Sequence, residues 1–395
     1  MSFLRADLAQ FTAYQSPHLA DDSALVQPAV DPLDTNESPI DLPDEIKAAL
    51  AEKYQGAIAA NRYPDGAHFA LKQAVLKYAL SSGATSSSAI DPETLTPGHI
   101  TLGNGSDELI RSVLMATCLG NNGSILVATP TFSMYAILAK TLGITVHSVP
   151  RKTDQQDNFT VDTAAAQTAL QQARHSEKTA PIKVVFMVHP NSPTGNALTA
   201  GELDWLRQLP EDVLVVVDEA YFEFSGQTTL VEALSRPNWI ILRTFSKAFR
   251  LAAHRVGYGI AHPDIISALE KLRLPYNLPS FSQAAAITAL AHSDQLLAQV
   301  PVLLSERDKL LSALEKQPAL RVWPSDGNFI YARLCDRALA HLEVQSQTEG
   351  LTKVCRMLRN QGTLVRHTGG GLRISIGTAA ENQRTLSNLQ QVLGD

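Results

Sequence analysis

The chemistry of this chain starts from one lysine. The stretch Ile240-Ile241-Leu242-Arg243-Thr244-Phe245-Ser246-Lys247 reads as a buried strand that breaks at Thr-Phe-Ser and presents an amine, with Arg255 eight residues on. An amine must lose its proton to attack a carbonyl, and a nearby cation with partial desolvation lowers its pKa. Lys247 is therefore a candidate imine former. Taken alone, the stretch also reads as a surface lysine after a core strand.

Four other stretches carry complementary groups. Gly103-Asn104-Gly105-Ser106-Asp107-Glu108 follows a strand pattern and opens a helix, so its backbone N–H groups suit a single phosphate. Its spacing matches neither G-x-G-x-x-G nor G-K-[ST], which argues against a dinucleotide or a P-loop; Ser106 also reads as a helix N-cap. Val215-Val216-Val217-Asp218-Glu219-Ala220-Tyr221 puts a carboxylate at a strand end and a tyrosine three residues later. A buried carboxylate needs a partner, and a pyridinium N–H would be one. A helix cap or a metal-binding aspartate is the alternative, and neither explains Tyr221. Val188-His189-Pro190-Asn191-Ser192-Pro193-Thr194-Gly195 ends another strand in a tight polar turn, the composition of many ordinary loops. Arg366 and Arg373 carry forked guanidiniums suited to a carboxylate or phosphate, with a surface ion pair as the plainer fate.

The elements that position these groups follow from the apolar pattern. Continuous apolar runs at 100–102, 125–128, 145–149, 183–188, 213–217, 239–242 and 256–260 read as strands. Helical segments at 107–119, 133–142, 161–172, 199–208 and 228–235 lie between them. This alternation predicts an α/β fold with a mostly parallel sheet covered on both faces and ligands at the carboxyl ends of the strands. Leu274-Pro275-Tyr276-Asn277-Leu278-Pro279 marks a break, followed by a long helical stretch over 281–316, strands at 329–334 and 372–376, and a helix near 350–360. The expected division is an N-terminal segment over 1–43 joining the small domain, a large domain over 44–275 and a smaller α+β domain over 276–395.

Composition narrows the function classes. The 395 residues are 45% hydrophobic and 18% charged with net charge −6, which suits a large-cored protein and offers no basic block for nucleic acid. No apolar run approaches a membrane span, and the N-terminus lacks the pattern of a signal peptide. Three scattered cysteines suggest neither a disulfide framework nor a zinc site, so a cytoplasmic location is expected.

Together these stretches resemble the fold-type-I enzymes that use pyridoxal phosphate, the aspartate-aminotransferase-like group. Within it the chain is similar to the class II histidinol-phosphate aminotransferase family. The matches are Asn36-Glu37, Arg62-Tyr63-Pro64, Gly105-Ser106-Asp107-Glu108, Pro130-Thr131-Phe132, Pro193-Thr194-Gly195, Asp218-Glu219-Ala220-Tyr221, Arg243 to Phe249 and Leu372-Arg373-Ile374, in the family's order. The resemblance implies a seven-stranded large domain and pyridoxal 5′-phosphate as cofactor. It implies that Lys247 bonds the cofactor and then moves the proton between Cα and C4′. Asp218 would bind the pyridine nitrogen and Tyr221 the ring oxygen. The Ser106 and Asp107 amides, Ser246 and Arg255 would hold the phosphate, and Phe132 would stack on the ring. Tyr63 would reach the cofactor phosphate of a neighbouring subunit, which implies a homodimer. Arg366 and Arg373 would take the substrate's anionic group, with Asn36 and Tyr14 also near the substrate.

Where the family has asparagine before Pro-Thr-Gly, this chain has Ser192 with Asn191 one earlier, so either could contact the ring oxygen. A cis peptide before Pro193 is also expected. The implied reaction is transamination between L-histidinol phosphate and 2-oxoglutarate in histidine biosynthesis. The alternatives are an aromatic amino-acid aminotransferase and a decarboxylase of a phosphorylated amino acid.

Overall fold

The computed structural model describes residues 30–83, 94–153 and 158–394, together with Phe3, Arg5, Asp7 and Phe11. Its strands are, in chain order, β1 (Asp31–Pro32), β2 (Ile100–Asn104), β3 (Ser124–Thr129), β4 (Val146–Pro150), β5 (Ile182–Val188), β6 (Leu214–Asp218), β7 (Trp239–Thr244), β8 (Val256–Ala261), β9 (Leu320–Trp323), β10 (Phe329–Leu334), β11 (Thr363–Leu364), β12 (Arg366–Thr368) and β13 (Gly371–Ser375). The helices are α1 (Asp44–Gly56), α2 (Phe69–Gly83), α3 (Gly105–Cys118), α4 (Met134–Thr141), α5 (Thr163–Arg174), α6 (Ala200–Arg207), α7 (Phe222–Ser225), α8 (Leu230–Ser235), α9 (Pro263–Leu272), α10 (Ser280–Ala291), α11 (Ser293–Leu297), α12 (Val300–Leu314), α13 (Asp336–His341), α14 (Gln347–Asn360) and α15 (Ala379–Leu393).

A seven-stranded sheet runs β2-β8-β7-β6-β5-β3-β4. β8 is antiparallel to both neighbours and the remaining pairs are parallel. β5, β6 and β7 are largely apolar without alternation, because helices cover both faces and all of their side chains except the half-buried Lys183 and Leu214 are buried. The parallel strands β5, β6 and β7 therefore deliver their carboxyl ends, Val188, Asp218 and Thr244, to one edge of the sheet. The expected strands are all present, each within two residues of its sequence bounds.

The smaller sheet runs β12-β13-β10-β9 and is antiparallel. β1 pairs with β11 in parallel, which ties the segment after residue 30 to this part of the chain. α10 packs on α1 and α2, whereas α12 packs on α15, β9 and β10. The helical stretch expected over 281–316 is present and divides into three helices. His292 ends α10 with ψ 26, and Pro301 sits in the first turn of α12, where a missing N–H costs nothing. β9 is a strand that the sequence reading missed, being only four residues long.

Candidate active site

At the carboxyl edge of the large sheet lies a cavity of about 380 Å³. Lys247, Asp218, Tyr221, Ser106, Asp107, Phe132, Ser192, Ser246, Arg255, Arg366 and Arg373 all line it. Lys247 follows the end of β7, and its Nζ donates to Thr35 O at 2.8 Å. Burial pushes its pKa down, and Arg373 and Arg255 add to that, while Tyr221 and Glu37 act against it. The amine is thus biased toward the neutral, nucleophilic form.

Asp218 ends β6 and is 2% exposed. Its Oδ2 accepts from the Tyr135 hydroxyl at 2.7 Å and its Oδ1 from Ala220 N at 3.1 Å. Burial raises its pKa to about 6 against these two hydrogen bonds, with Asp107 and Glu219 adding repulsion. A buried carboxylate in this state fits a cationic N–H partner. Tyr135, on α4, carries no local signal; it stacks on Phe186 at 4.6 Å and meets Phe132 edge-on at 5.5 Å.

The loop from β2 into α3 gathers hydrogen-bond donors at one end of the cavity. Gly105 has φ +69, and a Cβ there would lie 2.5 Å from Arg255 Nη2. A Cβ on Gly257 would lie 2.5 Å from Ser106 N. Only glycine at both positions lets β8 and Arg255 close on the start of α3. The first N–H groups of α3 have no acceptor within the helix, and Arg255 reaches both Ser246 Oγ at 3.3 Å and Asp107 Oδ2 at 3.2 Å. Amides, a hydroxyl and a guanidinium make a donor set that fits a phosphate. The N-cap of α3 is Asn104 rather than Ser106, so Ser106 stands inside the first turn with its amide available.

At the opposite wall, β12 and β13 place Arg366 directly across from Arg373. Arg373 also donates from Nη2 to Asp34 O at 2.6 Å and from Nη1 to Ser192 Oγ at 3.1 Å.

Asn191 is buried and does not line the cavity. Its Oδ1 accepts from Thr131 Oγ1 at 2.9 Å and Arg151 Nη2 at 3.1 Å, and its Nδ2 donates to Pro130 O at 3.1 Å and Thr194 Oγ1 at 2.6 Å. The Ser192–Pro193 bond is cis, as are Thr129–Pro130 and His189–Pro190. Asn36 lies beside the cavity, with its Nδ2 donating to the Tyr221 hydroxyl oxygen at 2.9 Å. Tyr63 is outside the cavity of this chain, 81% exposed and stacked on Tyr276 at 4.6 Å. Tyr14 lies outside the described residues. Among the described residues no cluster of His, Cys, Asp and Glu could hold a metal ion, and no helix is long and apolar enough to cross a membrane.

The family model for class I and II aminotransferases matches residues 30–389. Histidinol-phosphate aminotransferase of Trichodesmium erythraeum (strain IMS101) is 55% identical over 393 residues, covering 99% of both chains. Histidinol-phosphate aminotransferase 2 of Nostoc sp. (strain PCC 7120) is also 55% identical, covering 100% of this chain and 98% of that one. The solved histidinol-phosphate aminotransferase of Sinorhizobium meliloti, in complex with pyridoxal-5′-phosphate, shares the fold. Its TM-score is 0.76 at 23% identity, over 92% of this chain and 91% of that chain. L-threonine-O-3-phosphate decarboxylase of Porphyromonas gingivalis has the same fold with a TM-score of 0.70 at 19% identity, over 92% and 99% of the two chains. The chain belongs to the class I and II aminotransferases and, within them, to the histidinol-phosphate aminotransferase family.

Proposed function

We propose that this protein transfers an amino group between L-histidinol phosphate and 2-oxoglutarate, with pyridoxal 5′-phosphate as cofactor, as a step of histidine biosynthesis. The observation that carries the substrate class is the cross-strand pair Arg366 and Arg373. Like charges directly opposite each other on a sheet repel. A dianion shared between the two guanidiniums turns that repulsion into binding, and a phosphate fills more of their donors than a carboxylate does. The 2-oxo acid presents its carboxylate to the same pair.

Pyridoxal phosphate, when bound, supplies an aldehyde and an electron-poor ring that delocalises the charge left on Cα after proton loss. Lys247 would bond it covalently and would hold and return the Cα proton. Asp218 keeps the ring nitrogen protonated, and Tyr221 and Ser192 offer hydroxyls to the ring oxygen. The Ser106 and Asp107 amides, Ser246 and Arg255 would hold the phosphate, and Phe132 would stack on the ring. The protein works as a homodimer in the cytoplasm. Supporting the dimer, Tyr63, Phe69, Leu274 and Tyr276 are exposed on one chain although large and apolar or aromatic, and a second copy would cover them.

The test mixes the cofactor-loaded protein with histidinol phosphate, phenylalanine or phosphothreonine and follows the visible band of the cofactor. Loss of the band with histidinol phosphate, without release of carbon dioxide, is the expected result. No change with histidinol phosphate, or carbon dioxide released from phosphothreonine, overturns the reading.

A further inference from the structure

Three consecutive residues of the N-terminal segment each touch a different side chain of the site. Asp34 O accepts from Arg373 Nη2 at 2.6 Å, Thr35 O accepts from Lys247 Nζ at 2.8 Å, and Asn36 Nδ2 donates to the Tyr221 hydroxyl oxygen at 2.9 Å. The segment does not belong to the sheet that carries Lys247 and Tyr221. It is pinned to the smaller body, through Asp31 opposite Thr363, Pro32 opposite Leu364, and the Ser375 amide donating to Leu33 O at 2.9 Å.

Asn36 is fully buried and sits at φ +54, in the left-handed region that asparagine and glycine tolerate best. Its amide orientation is set by Ser375. The Asn36 backbone N–H donates to Ser375 Oγ at 2.9 Å. Ser375 is also buried, and among the described residues its proton has one acceptor, Asn36 Oδ1 at 3.0 Å. That leaves Nδ2 facing the phenol. A phenol oxygen that accepts an N–H keeps its own proton for another acceptor. Tyr221 lines the cavity, so that proton is turned into it.

We infer that Asn36 is a positioning residue that acts through Tyr221, making the phenol a donor to the cofactor's ring oxygen; it does not bind the substrate. The inference rests on the pyridoxal-phosphate reading of the cavity and deepens it. A donor on the ring oxygen stabilises its anionic form and so lowers the pH at which the cofactor–Lys247 linkage loses its proton. Reversing the donor at residue 36 turns the phenol proton back toward the protein.

The test is the pH titration of the visible band of the loaded protein, for N36D, N36G, Y221F and the double variant N36G/Y221F. Aspartate and glycine both tolerate the backbone at this position, and glycine removes only the amide. N36D is expected to raise the titration midpoint by about one pH unit, the size of a lost charge-stabilising hydrogen bond. N36G raises it by less. In N36G/Y221F the midpoint equals that of Y221F, because glycine adds no charge of its own and the Asn36 amide reaches the site through the phenol. Additive shifts in N36G/Y221F overturn the inference. So does an unchanged midpoint in N36D and N36G with only the KM for histidinol phosphate raised, the signature of a substrate ligand. A wild-type protein that shows no visible band with pyridoxal phosphate fails at the earlier step and overturns the cofactor reading itself.

Discussion

Asn191 and Ser192 are neighbours in one turn and face opposite ways. All four hydrogen-bonding positions of the Asn191 amide are filled by protein groups, one of them the buried Arg151. Ser192 opens onto the cavity with its Oγ accepting from Arg373. Asn191 therefore has no donor left for a ligand, and the turn's free hydroxyl belongs to Ser192.

This division predicts separable phenotypes. N191A leaves Arg151 and Thr194 short of a partner in the interior and is expected to cost about 2–4 kcal/mol of folding stability, since each orphaned buried group costs roughly 1–3 kcal/mol. S192A is expected to leave the unfolding midpoint in place and to raise the KM for histidinol phosphate, because Arg373 loses the hydroxyl that orients it. Denaturant unfolding and steady-state kinetics on the two variants check both arms. Loss of stability in S192A with full stability in N191A would reverse the assignment.

Behind the cavity, Arg243 and Glu219 join the ends of β7 and β6. Arg243 Nε and Nη2 both reach Glu219 Oε2 at 2.9 Å, and the pair is 1% and 0% exposed. Glu219 also accepts from Thr229 N at 2.6 Å, and the guanidinium lies 3.7 Å over the Phe222 ring. Removing one partner of a buried ion pair strands the other charge, so R243M is expected to cost about 3–5 kcal/mol. R243M/E219L removes both charges and is expected to recover most of that loss. Urea unfolding of the two variants measures the difference; equal losses would mean that packing on Phe222, not charge, holds the strand ends.

The parts of the site legible in the sequence are those whose chemistry is local. Asp218 with Tyr221, Ser246 with Lys247, and Gly105 with Ser106 each occupy a few consecutive residues at a strand end. The parts that were not legible act across distance. Tyr135 lies 83 positions from the Asp218 it bonds, Arg151 lies 40 from Asn191, and Thr35 lies 212 from Lys247. None of these has a spacing that a periodic pattern could carry. The same holds for the fold. The strands of the large sheet are long apolar runs and are legible directly, whereas the division of the helical stretch over 281–316 rests on the local backbone at His292 and on Pro301. Asn36 illustrates both sides: its motif drew attention to it, but its contact with Tyr221 needed the packing of Ser375.

His68 gives a pH signature. It is buried at φ +55, and among the described residues neither ring nitrogen has a hydrogen-bond partner. Burial, with Arg273 and Lys72 nearby, pushes its pKa down to about 4, against Glu270 and Asp65. The unfolded chain binds this proton at about pH 6.5 and the folded chain does not. Its contribution to stability is therefore complete above that pH and is lost as the pH falls toward 4, on the order of 3 kcal/mol in all. H68N keeps the backbone tolerance and removes the titration. Its unfolding free energy is expected to fall less than wild type between pH 6.5 and 4, by urea titration at fixed ionic strength. Parallel wild-type and H68N curves would count against the assignment.

Asp218 titrates with the opposite sign. In protein stripped of cofactor its folded pKa, about 6, lies above the unfolded value of 3.8. The folded chain then holds the extra proton, and this group's contribution to stability is present below 3.8 and is lost as the pH rises through 6. A pyridinium partner reverses the balance, because it makes the charged carboxylate the favoured form. The stabilisation conferred by pyridoxal phosphate is therefore expected to grow between pH 5 and 7 in wild type. In D218N, which has no charge to pair, it is expected to stay flat over that range. D218N should also lose about two to three orders of magnitude in kcat, the equivalent of roughly 3–4 kcal/mol of transition-state stabilisation. Thermal unfolding of stripped and loaded protein at each pH, for both forms, separates the pairing from the rate effect. The same pH-dependent gain in D218N would show that another group protonates the ring nitrogen.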